Sequence, residues 1–223
     1  MKEINVLGIQ LKDYALRESL KLVDGYMKNR ALNTIAYISS QILVTADGNA
    51  AQKEWIESMD MTVCAETDIL NTDGGLSKNR VKEVEEDAFL TEFLKKTARE
   101  KRKLFLLAET PEGLQLLQDE LIGLQGNLQI VGKEVVAPEM NIDNLINEIN
   151  DLVPDIILSR LPSPRQECLM YENKKKINAA VWLALLEGNV ARTRRQNAWK
   201  RVMRYIYKKV FRKKVADYRN KEE

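Results

Sequence analysis

The chain has no histidine and only two cysteines, Cys64 and Cys168, among its 223 residues. These absences exclude a disulfide framework, a zinc site built from cysteine and histidine, and any triad that depends on histidine. No apolar run approaches the roughly 18 residues that a membrane-spanning helix needs, and the first residues lack the apolar core of a signal peptide. We therefore expect a cytoplasmic protein without a metal or cofactor, whose chemistry, if it has any, depends on carboxylates or bound ligands.

Positive charge is concentrated in one part of the sequence. The chain has 35 basic and 33 acidic residues, but residues 191–223 hold 13 basic and 3 acidic ones, a net charge of +10. Residues 1–190 carry the remaining 22 basic and 30 acidic residues, a net charge of −8. A segment this basic indicates an anionic partner. We predict two parts, an α/β domain over residues 1–190 and a binding tail over residues 191–223.

Short apolar runs alternate with longer amphipathic segments, which predicts a Rossmann-like, mostly parallel sheet flanked by helices. Helices are expected over residues 13–27 and 87–99, and from Pro111 onward behind the capping residue Thr110. The Gly-rich and acidic segment 71–86 is expected to be a mobile loop. Ligands gather at the carboxyl ends of strands in such sheets, so function is expected in the segments that follow them. The predicted strands lie near residues 4–9, 34–38, 61–64, 103–107, 128–131, 155–159 and 178–182.

Several segments together carry a family resemblance. Residues 58–69 read SMDMTVCAETDI. Together with this segment, the apolar runs 4–9, 105–107, 128–132 and 154–158 have the order and spacing of the core strands of a known family. This pattern resembles the WecG/TagA/CpsF family. Its members transfer an N-acetyl-hexosamine-type sugar from a UDP donor to an undecaprenyl-linked acceptor at the cytoplasmic face of bacterial membranes. The resemblance implies a glycosyltransferase-like domain that acts in cell-envelope polysaccharide assembly, with a UDP-sugar as a possible ligand.

The positions that carry the chemistry of the family differ in this chain. The family's proposed general base is an Asp in a Pro-Asp-Gly segment, and Ala65 occupies that position. A methyl group cannot accept a proton. Glycine and polar residues of four further loops are also replaced, by Ala108 and Glu109, residues 133–136, Arg160, and residues 180–184. We therefore expect a pseudoenzyme that serves as a non-catalytic subunit or scaffold, bound to an active glycosyltransferase or to a membrane protein.

An active transferase with rearranged carboxylates stays an alternative, with Glu66 or Asp68 in place of the missing base. A shift of one residue at a strand end turns a side chain to the opposite face, and capping of the following helix also explains both acids. Asp73 and Glu167 are two further carboxylates that the same cleft would bring within reach.

Five residues are candidates for ligand binding, and each has a structural alternative. Arg80 matches an arginine of the family and suits a diphosphate, but acids beside it also predict a surface salt bridge. For Gln166 and Glu167, the structural alternative is a helix N-terminus that follows Pro164, a residue the family shares. There the Glu167 carboxylate complements the helix dipole. The candidates are Ser39, Arg80, Arg165, Gln166 and Glu167.

The tail has the pattern of a basic amphipathic helix over residues 197–218. Attraction to an anionic leaflet is worth about 1 kcal/mol per Lys or Arg near the surface, so this helix predicts a peripheral protein on the inner face of the cell membrane. Alternatively its apolar stripe packs on the body of the protein or on a partner; nucleic acid is a third partner, disfavoured by the acidic body. The predicted membrane- or partner-binding residues are Arg194, Arg195, Trp199, Lys200, Arg201, Arg204, Ile206, Lys208, Lys209, Phe211, Arg212 and Lys213.

Overall fold

The computed structural model describes residues 2–29, 31–71, 77–186 and 198–222, and the side chains of residues 3–29, 31–71, 77–186 and 205–218. Its strands are β1 (Lys2–Val6), β2 (Ile9–Asp13), β3 (Asn33–Ile38), β4 (Met61–Cys64), β5 (Lys103–Ala108), β6 (Gln129–Val135), β7 (Ile156–Arg160) and β8 (Val181–Ala184). Its helices are α1 (Leu16–Tyr26), α2 (Ser40–Ala46), α3 (Ala50–Glu57), α4 (Thr67–Leu70), α5 (Lys78–Glu85), α6 (Ala88–Arg99), α7 (Pro111–Leu124), α8 (Ile142–Leu152), α9 (Arg165–Asn173) and α10 (Ala198–Glu222).

Six of the strands form one parallel sheet in the order β4-β3-β8-β7-β5-β6. The four inner strands read as continuous apolar runs because helices cover both faces, so that every residue of β3, β7 and β8 is buried. One face packs against α1, α6 and α7, and the other against α2, α3, α8, α9 and the first two strands. The predicted Rossmann-like α/β fold is confirmed.

The first predicted strand is wrong in its extent and its place. Residues 4–9 do not form one strand of the parallel sheet; β1 and β2 form a separate antiparallel hairpin. The turn lies at Leu7 and Gly8, both with positive φ (54° and 71°), as the tight turn that matches the twist of a hairpin requires. The Gly8 N–H donates to Asn5 Oδ1 at 3.1 Å. The apolar run was misleading because the hairpin buries apolar residues on both sides of its turn.

The segment predicted to be a mobile loop contains a helix. Residues 78–85 form α5, and Ser77 caps it by accepting a hydrogen bond from the Arg80 N–H at 3.2 Å. No residue of α5 is fully buried and only Val84 packs partly against the core, so the segment lacks the regular apolar stripe that sequence periodicity detects. Residues 72–76, including the candidate Asp73, lie outside the described residues.

The last strand begins later than predicted, at Val181 instead of residue 178. The Asn178 N–H donates to Asn150 Oδ1 at 2.7 Å, which keeps this residue in the connection that follows α9. The predicted C-terminal helix is confirmed as α10, while the predicted domain boundary between residues 190 and 191 lies outside the described residues.

Candidate functional site

The segments that follow β3 and β4 lie side by side at the carboxyl edge of the sheet. The Ala65 N–H donates to the carbonyl oxygen of Ile38 at 2.9 Å, which ties the two strand ends together. Ser39 follows β3 as the N-cap of α2, and its Oγ accepts a hydrogen bond from the Ile42 N–H at 3.3 Å. The hydroxyl of this ligand-binding candidate is therefore engaged in capping.

The position expected to hold a general base contains no proton acceptor. Ala65 is partly buried and packs against the apolar core on the α6 side of the sheet. Its neighbour Glu66 occupies the N-cap position of α4, but its carboxylate accepts no hydrogen bond from that helix. Glu66 Oε2 instead accepts from Ser40 Oγ at 2.8 Å and lies 3.7 Å from Lys208 Nζ. The capping prediction is thus correct for the backbone of Glu66 and wrong for its side chain.

Asp68 lies in the first turn of α4 and is held by the C-terminal helix. Its Oδ1 and Oδ2 accept hydrogen bonds from Arg212 Nη2 at 3.0 and 3.1 Å, and Lys208 Nζ lies 4.0 Å from Oδ2. The side chain of Asp68 is only 16% exposed. Both carboxylates proposed as substitutes for the base are therefore paired with cations of α10.

The C-terminal helix packs directly on the body, with α2 as its main neighbour. Phe211 is 1% exposed and belongs to the apolar core beside α2, with Val215 and Tyr218 packed against the same core. A third acid of the body, Asp47 just after α2, pairs with Lys214. The alternative in which the apolar stripe packs on the body is thus observed for part of the stripe, and Phe211 in this arrangement is not available to a membrane.

The opposite face of α10 is exposed. Tyr205 is 69% exposed, Ile206 45% and Val210 37%, and Lys209 and Lys213 lie on the same side of the helix. The side chains of Trp199, Lys200, Arg201 and Arg204 are not among those the structure describes, and Arg194 and Arg195 lie outside the described residues altogether. The described part of α10 therefore has two different faces.

A buried cluster beside the end of β4 includes an acid that the sequence did not single out. Asp13, at the end of β2, accepts a hydrogen bond from Arg80 Nη2 at 2.7 Å, and Arg80 Nη1 donates to Glu83 at 2.9 Å. Burial raises the pKa of the Asp13 carboxyl. Burial and the nearby Asp13 raise the pKa of the Cys64 thiol well above its usual range, so this thiol is neutral.

The cluster decides the role of Arg80. Its guanidinium is 18% exposed and already pairs with two carboxylates, one from β2 and one from its own helix. It forms a partly buried salt bridge that fixes α5 to the hairpin, and it would have to leave both acids to bind a diphosphate. No sequence signal marked Asp13, because one acid at a strand end is an ordinary feature.

Gln166 joins the ends of two central strands. Its Oε1 accepts hydrogen bonds from Ser159 Oγ at 2.9 Å and from the Leu161 N–H at 3.0 Å, and its Nε2 donates to the carbonyl oxygen of Leu185 at 3.2 Å. Trp182 Nε1 donates to the same Ser159 oxygen at 2.9 Å. Gln166 is 2% exposed. All its hydrogen-bonding atoms thus serve the body, and the structure gives this ligand-binding candidate a structural role.

Glu167 is the most buried carboxylate near the edge, with 2% exposure on the first turn of α9. Burial raises its pKa, opposed by hydrogen bonds from its own N–H and from Ser163. Ser163 Oγ in turn accepts from Gln52 Nε2 of α3 at 3.0 Å. Glu167 Oε2 has no hydrogen-bond partner among the described residues. The predicted placement at a helix N-terminus is confirmed, and the side chain points into the packing between α3 and α9.

Two arginines occupy the ends of β7 and α9. Arg160 Nη2 donates to Glu120 of α7 at 2.7 Å, and both side chains are buried, with 7% and 8% exposure. Arg165 is more exposed; it lies 3.4 Å from Glu109 and donates to the carbonyl oxygen of Ala137 at 2.5 Å. Its guanidinium thereby joins the segments that follow β5 and β6. Sequence reasoning did not pair either arginine with its acid.

The described part of the chain lacks both a candidate membrane-spanning helix and a candidate metal-binding cluster. No helix there is long and apolar enough to cross a membrane. The same residues contain no group of three or more His, Cys, Asp or Glu side chains arranged to hold a metal ion.

The framework of this fold corresponds to a known family. Residues 4–186 match the Glycosyl transferase WecG/TagA/CpsF family. The match extends from the hairpin to the end of β8 and does not include α10. No curated protein matches the sequence.

Proposed function

Since the chain belongs to the WecG/TagA/CpsF family of glycosyl transferases, we propose that it acts in cell-envelope polysaccharide assembly as a non-catalytic subunit. The observation that supports this most is the position of Ala65, at the end of β4, where the family resemblance places a general base. A base must lie within hydrogen-bond distance of the proton it takes, about 2.6–3.2 Å. Alanine cannot fulfil this role.

The neighbouring acids do not replace the missing base in this arrangement. The Glu66 carboxylate accepts the Ser40 hydroxyl hydrogen, and the Asp68 carboxylate accepts a guanidinium hydrogen of Arg212. Each carboxylate therefore already serves a contact within the protein, which a substrate has to share or displace. The alternative, an active transferase that moves an N-acetyl-hexosamine-type sugar from a UDP donor to an undecaprenyl-diphosphate-linked acceptor, requires Glu66 or Asp68 to take the proton beside these contacts.

The rest of the carboxyl edge supports the same proposal. In the resemblance to the family, Arg160 replaces a glycine, and glycine lets a ligand approach the backbone. Here the Arg160 side chain is buried against Glu120. The space that a glycine would leave is therefore occupied by a charged side chain with its own partner.

The proposed place of action is the cytoplasmic face of the cell membrane. The exposed face of α10 combines Tyr205, Ile206 and Val210 with Lys209 and Lys213, which suits an anionic lipid surface. The proposed protein partner is an active glycosyltransferase or a membrane protein. Nucleic acid is disfavoured because residues 1–190 carry a net charge of −8.

Sugar transfer by purified protein tests the proposal. The assay would offer UDP-N-acetyl-hexosamines and an undecaprenyl-diphosphate-linked acceptor to the wild type, to Glu66→Ala and to Asp68→Ala. The matched control is Asp119→Ala, an exposed acid on α7. We expect no turnover from any of the four proteins. Turnover by the wild type and the control that disappears in Glu66→Ala or Asp68→Ala would establish the active transferase instead.

A further inference from the structure

Three carboxylates on the body face α10 and are paired with its cations. Asp68 pairs with Arg212, Glu66 and Asp68 lie near Lys208, and Asp47 pairs with Lys214. We call Asp47, Glu66 and Asp68 the acidic dock. Asp47 comes from the end of α2 and the other two acids from the start of α4, and their partners on α10 are near Phe211 in the sequence.

Because of this pairing, the cations on the two sides of α10 differ in how readily they bind an anionic surface. Lys209 and Lys213 lie on the exposed side with Tyr205, Ile206 and Val210. Lys208, Arg212 and Lys214 already have carboxylate partners on the body. A lipid headgroup that engages these cations has to share them with the dock or displace it, and the partly exposed Arg212 and Lys208 are within its reach.

We propose that the acidic dock holds the C-terminal helix in competition with anionic lipid, so that it sets how strongly the protein binds a membrane. The proposal rests on the membrane association included in the proposed function. In the docked state only the exposed face of α10 meets the bilayer. When the dock is weakened, Lys208 and Arg212 become available to the headgroups as well.

The charges of the dock suit reversible control. The Arg212 side chain is 69% exposed and that of Lys208 is 36% exposed, so water and salt reach both pairs. Exposed ion pairs contribute little to stability. Phe211 supplies the apolar contact between α10 and the body. The ion pairs shift the equilibrium between the helix docked on the body and the helix bound to the membrane.

The test compares vesicle binding of Glu66→Gln/Asp68→Asn with that of the wild type. The control is Asp119→Asn/Asp151→Asn, which removes two exposed acids on α7 and α8 and so changes the net charge by the same amount. The vesicles contain phosphatidylethanolamine with phosphatidylglycerol, or phosphatidylcholine alone. Hydrogen exchange of the amides of residues 205–218 reports the docking of α10 without any membrane.

We expect faster exchange in α10 of the dock variant and about thirtyfold tighter binding to phosphatidylglycerol vesicles, as the two released cations Lys208 and Arg212 would give. Wild type and control should bind alike, and phosphatidylcholine should show no difference. Unchanged exchange would contradict the dock itself. Faster exchange with binding equal to that of the control would contradict the competition while leaving the membrane association standing. If no protein binds anionic vesicles, the membrane association fails, and the competition with it.

Discussion

At the ends of β7 and β8, buried side chains of the body fill the carboxyl edge of the sheet. Beyond β3 and β4, the edge is covered by α10, whose Arg212 binds Asp68 across 144 residues of sequence. We call the first region the fixed half and the second the responsive half. In the fixed half, Gln166 and the Arg160–Glu120 pair connect neighbouring elements and are almost inaccessible to water. In the responsive half, partly exposed ion pairs and one buried aromatic ring hold a helix. The difference indicates a fixed half and a half whose cover responds to salt and to competing anions.

The largest expected effect is in the fixed half. Arg160→Ala should lower the free energy of unfolding by about 3–5 kcal/mol, because it leaves Glu120 buried without a counter-charge. Urea unfolding followed by circular dichroism measures this. The double substitution Arg160→Met/Glu120→Leu should recover most of the loss, since it removes the buried charge with its partner. A single variant as stable as the wild type would show that the pair is solvated and that this half is not fixed.

The second-largest loss of stability is expected from Gln166, which connects the ends of β7 and β8. Gln166→Leu keeps the side-chain size but leaves the Ser159 hydroxyl, the Leu161 N–H and the Leu185 carbonyl without this partner. Stability should fall by about 2–4 kcal/mol, given about 1–3 kcal/mol for each unsatisfied buried group. Gln115→Leu on the exposed side of α7 is the control and should cost little. Equal effects of the two substitutions in urea unfolding would contradict the proposed connection.

A third prediction concerns pH. Burial raises the pKa of Glu167 above its ordinary value of 4.5, so the folded protein binds more protons than the unfolded chain between those two pKa values. Unfolding free energy from this group should therefore be highest below pH 4.5 and fall as the pH rises through the folded pKa. Glu167→Gln should remove that part of the pH dependence in urea titrations. Parallel pH profiles for the two proteins would mean that Glu167 is solvated.

The smallest expected effect is in the responsive half. Asp68→Asn should lower global stability by no more than about 1 kcal/mol, because its partner Arg212 is largely exposed. The difference should shrink at about 1 M salt, where the Debye length is about 3 Å. Thermal unfolding at low and high salt measures it. A loss as large as that of Arg160→Ala, unchanged by salt, would remove the distinction between the halves.

The sequence predicted the elements that bury continuous apolar runs. Strands β3, β4, β5 and β7 fall close to their predicted positions because their side chains are buried on both faces, and Thr110 caps α7 as expected, accepting from the Gly113 N–H at 3.0 Å. Helix α5 was missed because none of its residues is fully buried, and the hairpin because a leucine adopts positive φ at its turn. Local patterns do not report either feature.

The site was harder to predict than the fold. The absence of an acid at Ala65 could be read from the sequence, and the acids beside Arg80 predicted a salt bridge of the kind it forms with Glu83. The partners of Glu66, Asp68 and Arg160 and the second partner of Arg80 could not be predicted. Each partner lies far along the chain or on another element, such as Asp13 for Arg80 at a separation of 67 residues. The amphipathic pattern of α10 also did not predict which apolar residues face the body, as Phe211 does, and which face outward, as Ile206 does.

Single-turnover sugar transfer by the wild type shows whether the protein is a catalyst at all. The assay uses protein in excess over a UDP-N-acetyl-hexosamine and a lipid-linked acceptor. An excess of protein reveals even slow chemistry. We predict product formation no faster than in the same mixture without protein. Transfer within seconds, abolished by Glu66→Ala, would contradict this prediction.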